Sequence, residues 1–262
     1  MSSPKPASAP TTVSLSADLE RSHPEWTFDH GGVIRGDSSK KQLALVFTGG
    51  DFGEGTGEIL DALKARDIAA SFFVTGGYLR KPEHQPFLKR IVEQRHYLGP
   101  HSDSHPLYCP WEDRTRTLVS EQFFKDDLRK NIDDLRHQYG AFGNAGPVYF
   151  IPPYEWFNDD QVRWAREMGV VLFNFTPGSG SNRDWAPEDH KSFVPSRQII
   201  DDILKYEATK DPHGLNGFLL LLHVGSQRRD KPYPMLGELL DELKRRGYGF
   251  VRVDELLKLQ RV

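Results

Sequence analysis

Cysteine is almost missing from this 262-residue chain. Cys109 stands alone, so no internal disulfide can staple the fold, and the redox compartment is left undecided. Long apolar runs are missing too. The most hydrophobic stretch, GFLLLLHV at 217–224, falls far short of the roughly 20 residues that cross a bilayer, so no transmembrane segment is expected. Nor is there an excess of one charge. The 34 Lys and Arg against 37 Asp and Glu leave a formal charge of -3, mixed along the chain, which offers no field for a polyanion. Nucleic acid is therefore not an expected partner. What is present, 37% hydrophobic and 27% charged residues, suffices at this length for one large domain with a well-buried core.

The opening MSSPKPASAPTTVSLSADLE is rich in Ser, Pro, Ala and Thr and has no apolar stripe to offset the entropy of ordering it. A flexible tail over 1–25 and one domain over 26–262 are expected. The tail has no hydrophobic segment of the kind found in a signal peptide, but such a linker often remains when one has been removed. Export to the periplasm or the exterior is the expected location, with the cytoplasm left open.

From about residue 30 apolar runs alternate with helical periodicity. LALVFT (43–48), AASFFVTGG (69–77), a short strand at HYLGP, VYFI (148–151), VVLFNF (170–175), FLLLLHV (218–224) and YGFVRV read as strands, none with polar alternation. Between them EILDALKAR, QPFLKRIVEQ and segments near 118–139, 159–168, 196–207 and 234–246 read as amphipathic helices. About seven strand–helix units imply a parallel sheet covered on its outer side. In a barrel of this kind working side chains gather at the C-terminal strand ends, here after Thr48, Gly76, Gly99, Ile151, Phe175 and Leu222.

Those ends carry the residues of interest. GPHSDSHPLY (99–108) sets His101 and His105 four apart, a spacing that suits a metal, although ten histidines make one such pair unsurprising. VFTGGDFGEG follows a strand and precedes a helix like a phosphate loop. It lacks the Lys-Ser/Thr ending, and Asp51, Glu54 and Glu58 would repel a pyrophosphate. A carboxylate on such a glycine-freed loop fits a cation better, and Asp51 is the leading ligand. His223 ends the most apolar strand; a histidine there is either a hydrogen-bonded core residue or a general acid. In YFIPPYEWFN the two prolines lack N–H groups, so Tyr154 supplies the next backbone donor, held in a stiff turn that could face an oxyanion. Asp184, in NRDW, is a plain turn residue unless it orients a histidine.

Taken in order, these segments resemble the polysaccharide deacetylases of the NodB-homology type, carbohydrate esterase family 4, over residues 40–260. HSDSHP matches the family's H-S/T-x-x-H motif, and ASFFVTG resembles its second strand. LLLLHV matches the strand ending in the acid histidine, IPPY resembles R-x-P-Y, and Asp184-Trp185 matches the motif that tunes that histidine. The resemblance implies a distorted (β/α)7 barrel of the NodB-homology type and metal-dependent removal of acetyl groups from an N- or O-acetylated glycan. Two departures stand out. The family's T-F-D-D-G, which holds the general base and a metal ligand, reads VFTGGD here, with Thr48 and Gly49 in those places; the motif-three Arg is Ile151. By this resemblance His101 and His105 would hold a divalent ion, and Asp51, two residues along the glycine loop from Gly49, is expected to swing back and complete the site; zinc is the leading ion, with cobalt and nickel as alternatives. Tyr154 N–H would share the oxyanion, and His223, steadied by Asp184, would protonate the leaving group. Trp185 and Leu221 would line the acetyl methyl pocket, and Glu155, or alternatively Glu54, would replace the base. A catalytically impaired glycan-binding pseudoenzyme on the same fold is the alternative. The sugar, the linkage, the atom bearing the acetyl group and the oligomeric state are not specified by these residues.

Overall fold

The computed structural model describes residues 19–142, 146–209 and 213–259. A helical turn, α1 (Leu19–Ser22), leads into an antiparallel hairpin of β1 (Thr27–Asp29) and β2 (Gly32–Arg35). Strand–helix alternation follows: β3 (Gln42–Gly49), α2 (Thr56–Lys64), β4 (Ser71–Val74), α3 (Gly76–Arg80), α4 (Gln85–Glu93), β5 (Tyr97–Pro100), α5 (Glu121–Tyr139) and β6 (Val148–Phe150). The chain continues through α6 (Asp159–Glu167), β7 (Val170–Leu172), α7 (Ser196–Thr209), β8 (Phe218–His223), α8 (Leu236–Arg245), β9 (Gly249–Val251) and α9 (Val253–Leu256).

Strand β3 is buried along nearly its whole length because both of its faces are covered. Strand β8 pairs in parallel with one edge from Leu43 to Thr48, and β9 and β4 lie end to end on the other. Strand β5 extends the sheet beyond β4. Outward positions Leu43, Leu45, Phe47, Leu220 and Leu222 pack against Leu60, Leu63, Leu239 and Leu243 of the covering helices. Inward positions Ala44, Val46, Phe73, Ile151, Phe173, Leu219 and Leu221 fill the interior, which is a packed core and not a pore.

The barrel closes irregularly. Strands β6 and β7 form their own parallel pair, tied to the rest by the Val33–Phe173 bridge and by Thr176 N–H donating to the Leu219 carbonyl at 3.0 Å. Among the described residues no backbone ladder joins β5 to β6; the Tyr97 hydroxyl accepts the Tyr149 N–H at 2.9 Å instead. The fold is thus the distorted barrel expected. The tail boundary is not as expected. Leu19 and Trp26 are buried, and the His23 ring stacks on Trp26 at 4.0 Å, so residues of the expected tail from Leu19 on are packed with the domain, while 1–18 lie outside the described residues. The hairpin and α3 escaped the sequence reading because three to five residues are too few to display a period. Among the described residues no helix is long and apolar enough to cross a membrane.

If one hydroxyl bridges the gap in the barrel, Tyr97→Phe leaves the buried Tyr149 N–H unpaired. It should lower unfolding free energy by about 1–3 kcal/mol in urea denaturation; an unchanged midpoint would show that the gap needs no bridge.

Candidate active site

The inward register of β3 and β8 is apolar until its last rung, where Thr48 and His223 stand side by side. One strand over, β5 ends at Pro100 and the two histidines follow. His101 N–H donates to the Val74 carbonyl and to Asn131 Oδ1, both from buried positions. Its Nδ1 lies 2.9 Å from the Ile151 carbonyl, an acceptor only, so Nδ1 carries the proton and Nε2 offers a lone pair. The Nε2 atoms of His101 and His105 are 3.3 Å apart. Two nitrogens about 2.05 Å from one tetrahedral cation stand about 3.3 Å from each other, so the pair is spaced as two ligands of one ion would be. Burial keeps both rings neutral, the form that binds metal: it drives His101 well below its usual value and His105 down to about 4.

A carboxylate absent from the sequence reading holds this loop. Asp127 of α5 accepts from the hydroxyls of Ser102 (2.6 Å) and Ser104 (2.5 Å) and from the N–H groups of Asp103 and Ser104, both at 3.0 Å. Ser102 Oγ in turn accepts the His105 N–H at 3.0 Å. Asp127 and Asn131 are four apart on the buried face of α5, beside Phe124, Leu128 and Leu135. Two polar residues on a core-facing stripe were the available signal.

Across the mouth, Asp184 is almost wholly buried and grips His223 twice. Its Oδ1 accepts from the ring Nδ1 at 2.6 Å and its Oδ2 from the backbone N–H at 2.8 Å. Burial alone would lower the imidazole, but the Asp184 charge and hydrogen bond outweigh it, Glu155 adds to them, and His223 is raised to about 9. The ring is therefore protonated at neutral pH. Its extra stability is fully present below 6.5 and lost as pH rises through about 9.

The turn after β6 is strained. Tyr154 and Glu155 have φ of 58° and 52°, and Ser102 and His105 also have positive φ, so half of the eight such non-glycine residues among those described surround this mouth. The Tyr154–Glu155 turn is fixed by Glu155 N–H donating to the Pro152 carbonyl and Asn174 Nδ2 to the Glu155 carbonyl. Among the described residues no backbone carbonyl accepts the Tyr154 N–H. The Tyr154 ring packs on His105 at 4.5 Å. The Glu155 side chain points inward, only 14% exposed, with Oε1 4.0 Å from His101 Nε2. Burial raises its carboxyl to about 7, with His223 opposing and Asp184 adding. In the same region the Thr48 hydroxyl is buried with no hydrogen-bond partner among the described residues.

Not every expected residue is gathered. Among the described residues no three His, Cys, Asp or Glu side chains converge as a metal cluster. Asp51 is exposed, and its backbone carbonyl is taken by Lys81 Nζ; the glycine-flanked loop carries it outward, although its charge still acts on His105. Glu54 is engaged elsewhere. It accepts the Ser226 N–H at 3.0 Å and pairs with Lys231, which hold it below the usual carboxylate range despite burial. Trp185 is exposed at the mouth with its ring against His190, whereas Leu221 is wholly buried beneath His223 and offers a floor, not a wall.

Two measurements probe this geometry. In the metal-free protein the His223 ring should titrate near 9 by nitrogen-detected NMR, and Asp184→Asn should bring the midpoint below 6.5; a midpoint unaffected by Asp184→Asn would separate the pair. Asp127→Ala, by orphaning four donors, should cost about 2–4 kcal/mol in thermal or urea denaturation, with Asp127→Asn recovering part of it. Equal stability of the alanine variant would mean that the loop holds itself.

Comparison with known proteins places this geometry in a family. The family model for polysaccharide deacetylase matches residues 35–173. An uncharacterised 30.6 kDa protein of Geobacillus stearothermophilus is 30% identical over 87% of this chain and 75% of its own. A peptidoglycan-N-acetylglucosamine deacetylase of Bacillus cereus is 27% identical over 84% of this chain and 90% of its own. Among solved structures, PdaA of Bacillus subtilis, a family 4 carbohydrate esterase, superposes with a TM-score of 0.69 at 22% identity, covering 92% of this chain and 87% of that one. With a packed parallel barrel, a histidine pair at one strand end and a carboxylate-bound histidine at another, the chain belongs to the polysaccharide deacetylase family, the NodB-homology group of carbohydrate esterases.

Proposed function

We propose that this protein is a metal-dependent hydrolase that removes acetyl groups from an N- or O-acetylated glycan. Peptidoglycan amino sugars are the substrate class named for its Bacillus cereus relative. The observation that carries the reading is the Asp184–His223 pair at the same mouth as two neutral imidazoles 3.3 Å apart. A protein that only binds sugar has no use for an imidazolium poised to give up a proton.

His101 and His105 would hold the ion through their Nε2 atoms, with Asp51 as the carboxylate that completes the set when the Gly49–Gly53 loop moves inward. Zinc suits these donors, as do cobalt and nickel. When bound, the ion supplies Lewis-acid polarisation of a carbonyl and lowers the pKa of a water. The chain's own groups do the rest. Glu155, at about 7, is basic enough to take a proton from the attacking water and sits within reach of His101 Nε2. The Tyr154 N–H receives the charge that develops on the acetyl oxygen. His223 then protonates the nitrogen or oxygen that leaves, and the acetyl carbon departs as acetate. Trp185 flanks the acetyl methyl, and Leu221 lies beneath it. Peptidoglycan lies outside the cytoplasmic membrane, so an exported location is part of this proposal.

One observation favours the second reading, a glycan-binding pseudoenzyme. A Cβ added at Gly49 would lie 3.0 Å from the Tyr78 ring and from Val224, so the end of β3 is packed for a residue without a side chain. Acetate release decides between the two. The protein loaded in turn with zinc, cobalt and nickel should bind one ion per chain and release acetate from N-acetylchitooligosaccharide, acetylxylan or peptidoglycan. His101→Ala and His105→Ala should lose the ion by elemental analysis. His223→Ala should keep it and lose about 10²–10⁴ in kcat. Full metal occupancy in both histidine variants would remove the site, and metal binding without acetate from any of these three substrates would favour the glycan-binding reading.

A further inference from the structure

The largest wholly buried side chain among the described residues is an arginine, Arg228, in the loop after β8. A guanidinium cannot shed its charge in a protein, so taking it out of water is unfavourable unless its N–H groups find acceptors. Most of the acceptors here are neutral. Nε donates to the Asp230 carbonyl at 2.9 Å, Nη1 to the Arg183 carbonyl at 3.2 Å, and Nη2 to the Val194 carbonyl at 2.7 Å and to Ser196 Oγ at 3.1 Å. Among the described residues its one ion pair, with Asp230 Oδ2 at 3.3 Å, is to a carboxylate that is itself partly exposed. The Phe193 ring closes the place at 4.7 Å. The guanidinium thus joins three carbonyls from three separate points of the chain.

One of those points adjoins Asp184. The Arg183 carbonyl belongs to the planar peptide unit that leads into Asp184, so Arg228 fixes the plane from which that side chain starts. Arg183 is also held through its own side chain, by the Gly180 carbonyl at 3.1 Å and by Asp202 of α7. At the start of α7, Ser196 N–H donates to Asp230 Oδ2 at 2.6 Å and its hydroxyl to the Asp230 carbonyl at 2.9 Å. Glu188 Oε1 accepts the N–H groups of Arg229 and Asp230 at 2.9 and 2.8 Å. The loop between β7 and α7 and the loop after β8 are therefore tied into one unit. Asp184 depends on such support, because among the described residues both hydrogen bonds to its buried carboxylate come from His223. Its aim has to come from its backbone.

We propose that Arg228 is a positioning residue for the proton donor: through the Arg183 carbonyl it sets the angle at which the Asp184 carboxylate meets the His223 ring. This rests on the reading of His223 as the acid and deepens it by identifying what aims the pair. The carboxylate must meet two donors of one residue at once, at 2.6 and 2.8 Å, and hydrogen bonds weaken steeply once misaligned. Lysine at 228 keeps the charge but offers a single nitrogen in place of a fork that reaches three carbonyls. The peptide between 183 and 184 is then free to turn, and less of the Asp184 charge acts on the imidazole.

Nitrogen-detected NMR of the metal-free full chain reads the aim of Asp184 without any turnover. In Arg228→Lys and Arg228→Met the His223 midpoint should fall from about 9 toward 6.5, a loss of at least about tenfold in proton affinity. The control is Arg35→Lys. Arg35 is a second buried arginine, donating to the Gly214 and Asn216 carbonyls at 3.0 and 2.9 Å ahead of the other end of β8, and its replacement should lower stability with the midpoint unmoved. In the metal-loaded protein Arg228→Lys should lose about tenfold in kcat with KM within about twofold. If neither Arg228 variant folds, Ser196→Ala loosens the guanidinium from one side and should move the midpoint the same way. A wild-type midpoint in the folded Arg228 variants, or in Ser196→Ala where those do not fold, overturns the proposal. So does an equal fall in Arg35→Lys or, where the wild type releases acetate, an unchanged kcat in Arg228→Lys. A fall confined to the Arg228 and Ser196 variants upholds it even if no acetate is ever released, in which case only the hydrolytic reading fails.

Discussion

The parallel pairing of β3 with β8 is the constraint from which the rest of this structure follows. Register between Leu43–Thr48 and Phe218–His223 fixes which side chains face the helices and which face the barrel interior, because a pleated strand alternates without exception. Below the last rung every inward position is apolar and packed. At that rung the apolar filling stops, and Thr48 and His223 are left together where the core meets solvent. A shift of one residue would turn His223 toward α2 and α8 and put Leu222 in the mouth.

Around that rung three carboxylates of similar chemistry behave differently because their surroundings differ. Asp127 receives only neutral donors, two hydroxyls and two backbone N–H groups, and acts as a fastener for the histidine loop. Asp184 meets one imidazole from two directions, and its charge appears as a His223 ring that stays protonated at neutral pH. Glu155 has burial without a strong partner, so it sits near 7 and can exchange a proton. The backbone strain at Tyr154–Glu155 is the cost of aiming both an N–H and a carboxyl at one small space.

The end of β3, which carries Thr48 and Gly49 and no carboxylate, is closely packed. Gly49 is met by Tyr78 and Val224, and Ile151 is buried among the apolar side chains of the barrel interior. Glu155 supplies a carboxyl to the same mouth from the neighbouring strand end.

Alternation of strands and helices, the inward polar ends of β5 and β8, and the pairing of His101 with His105 were legible in the sequence, since hydrophobic period and strand order depend on local pattern. Asp51 and Glu54 looked equivalent there as loop acids next to glycines. Only the fold showed Glu54 tied to Lys231 and Ser226 while Asp51 is turned outward. Asp127 and Asn131 showed only as two polar residues on the core-facing stripe of α5; the groups they hold lie 25 and 30 residues away, and contacts of that range carry no periodic signature. What the sequence determined by itself was thus the set of strand ends at which chemistry could occur. Which side chains reach one another across those ends was decided by tertiary structure, because strand register, helix docking and loop fastening set distances that no spacing along the chain encodes.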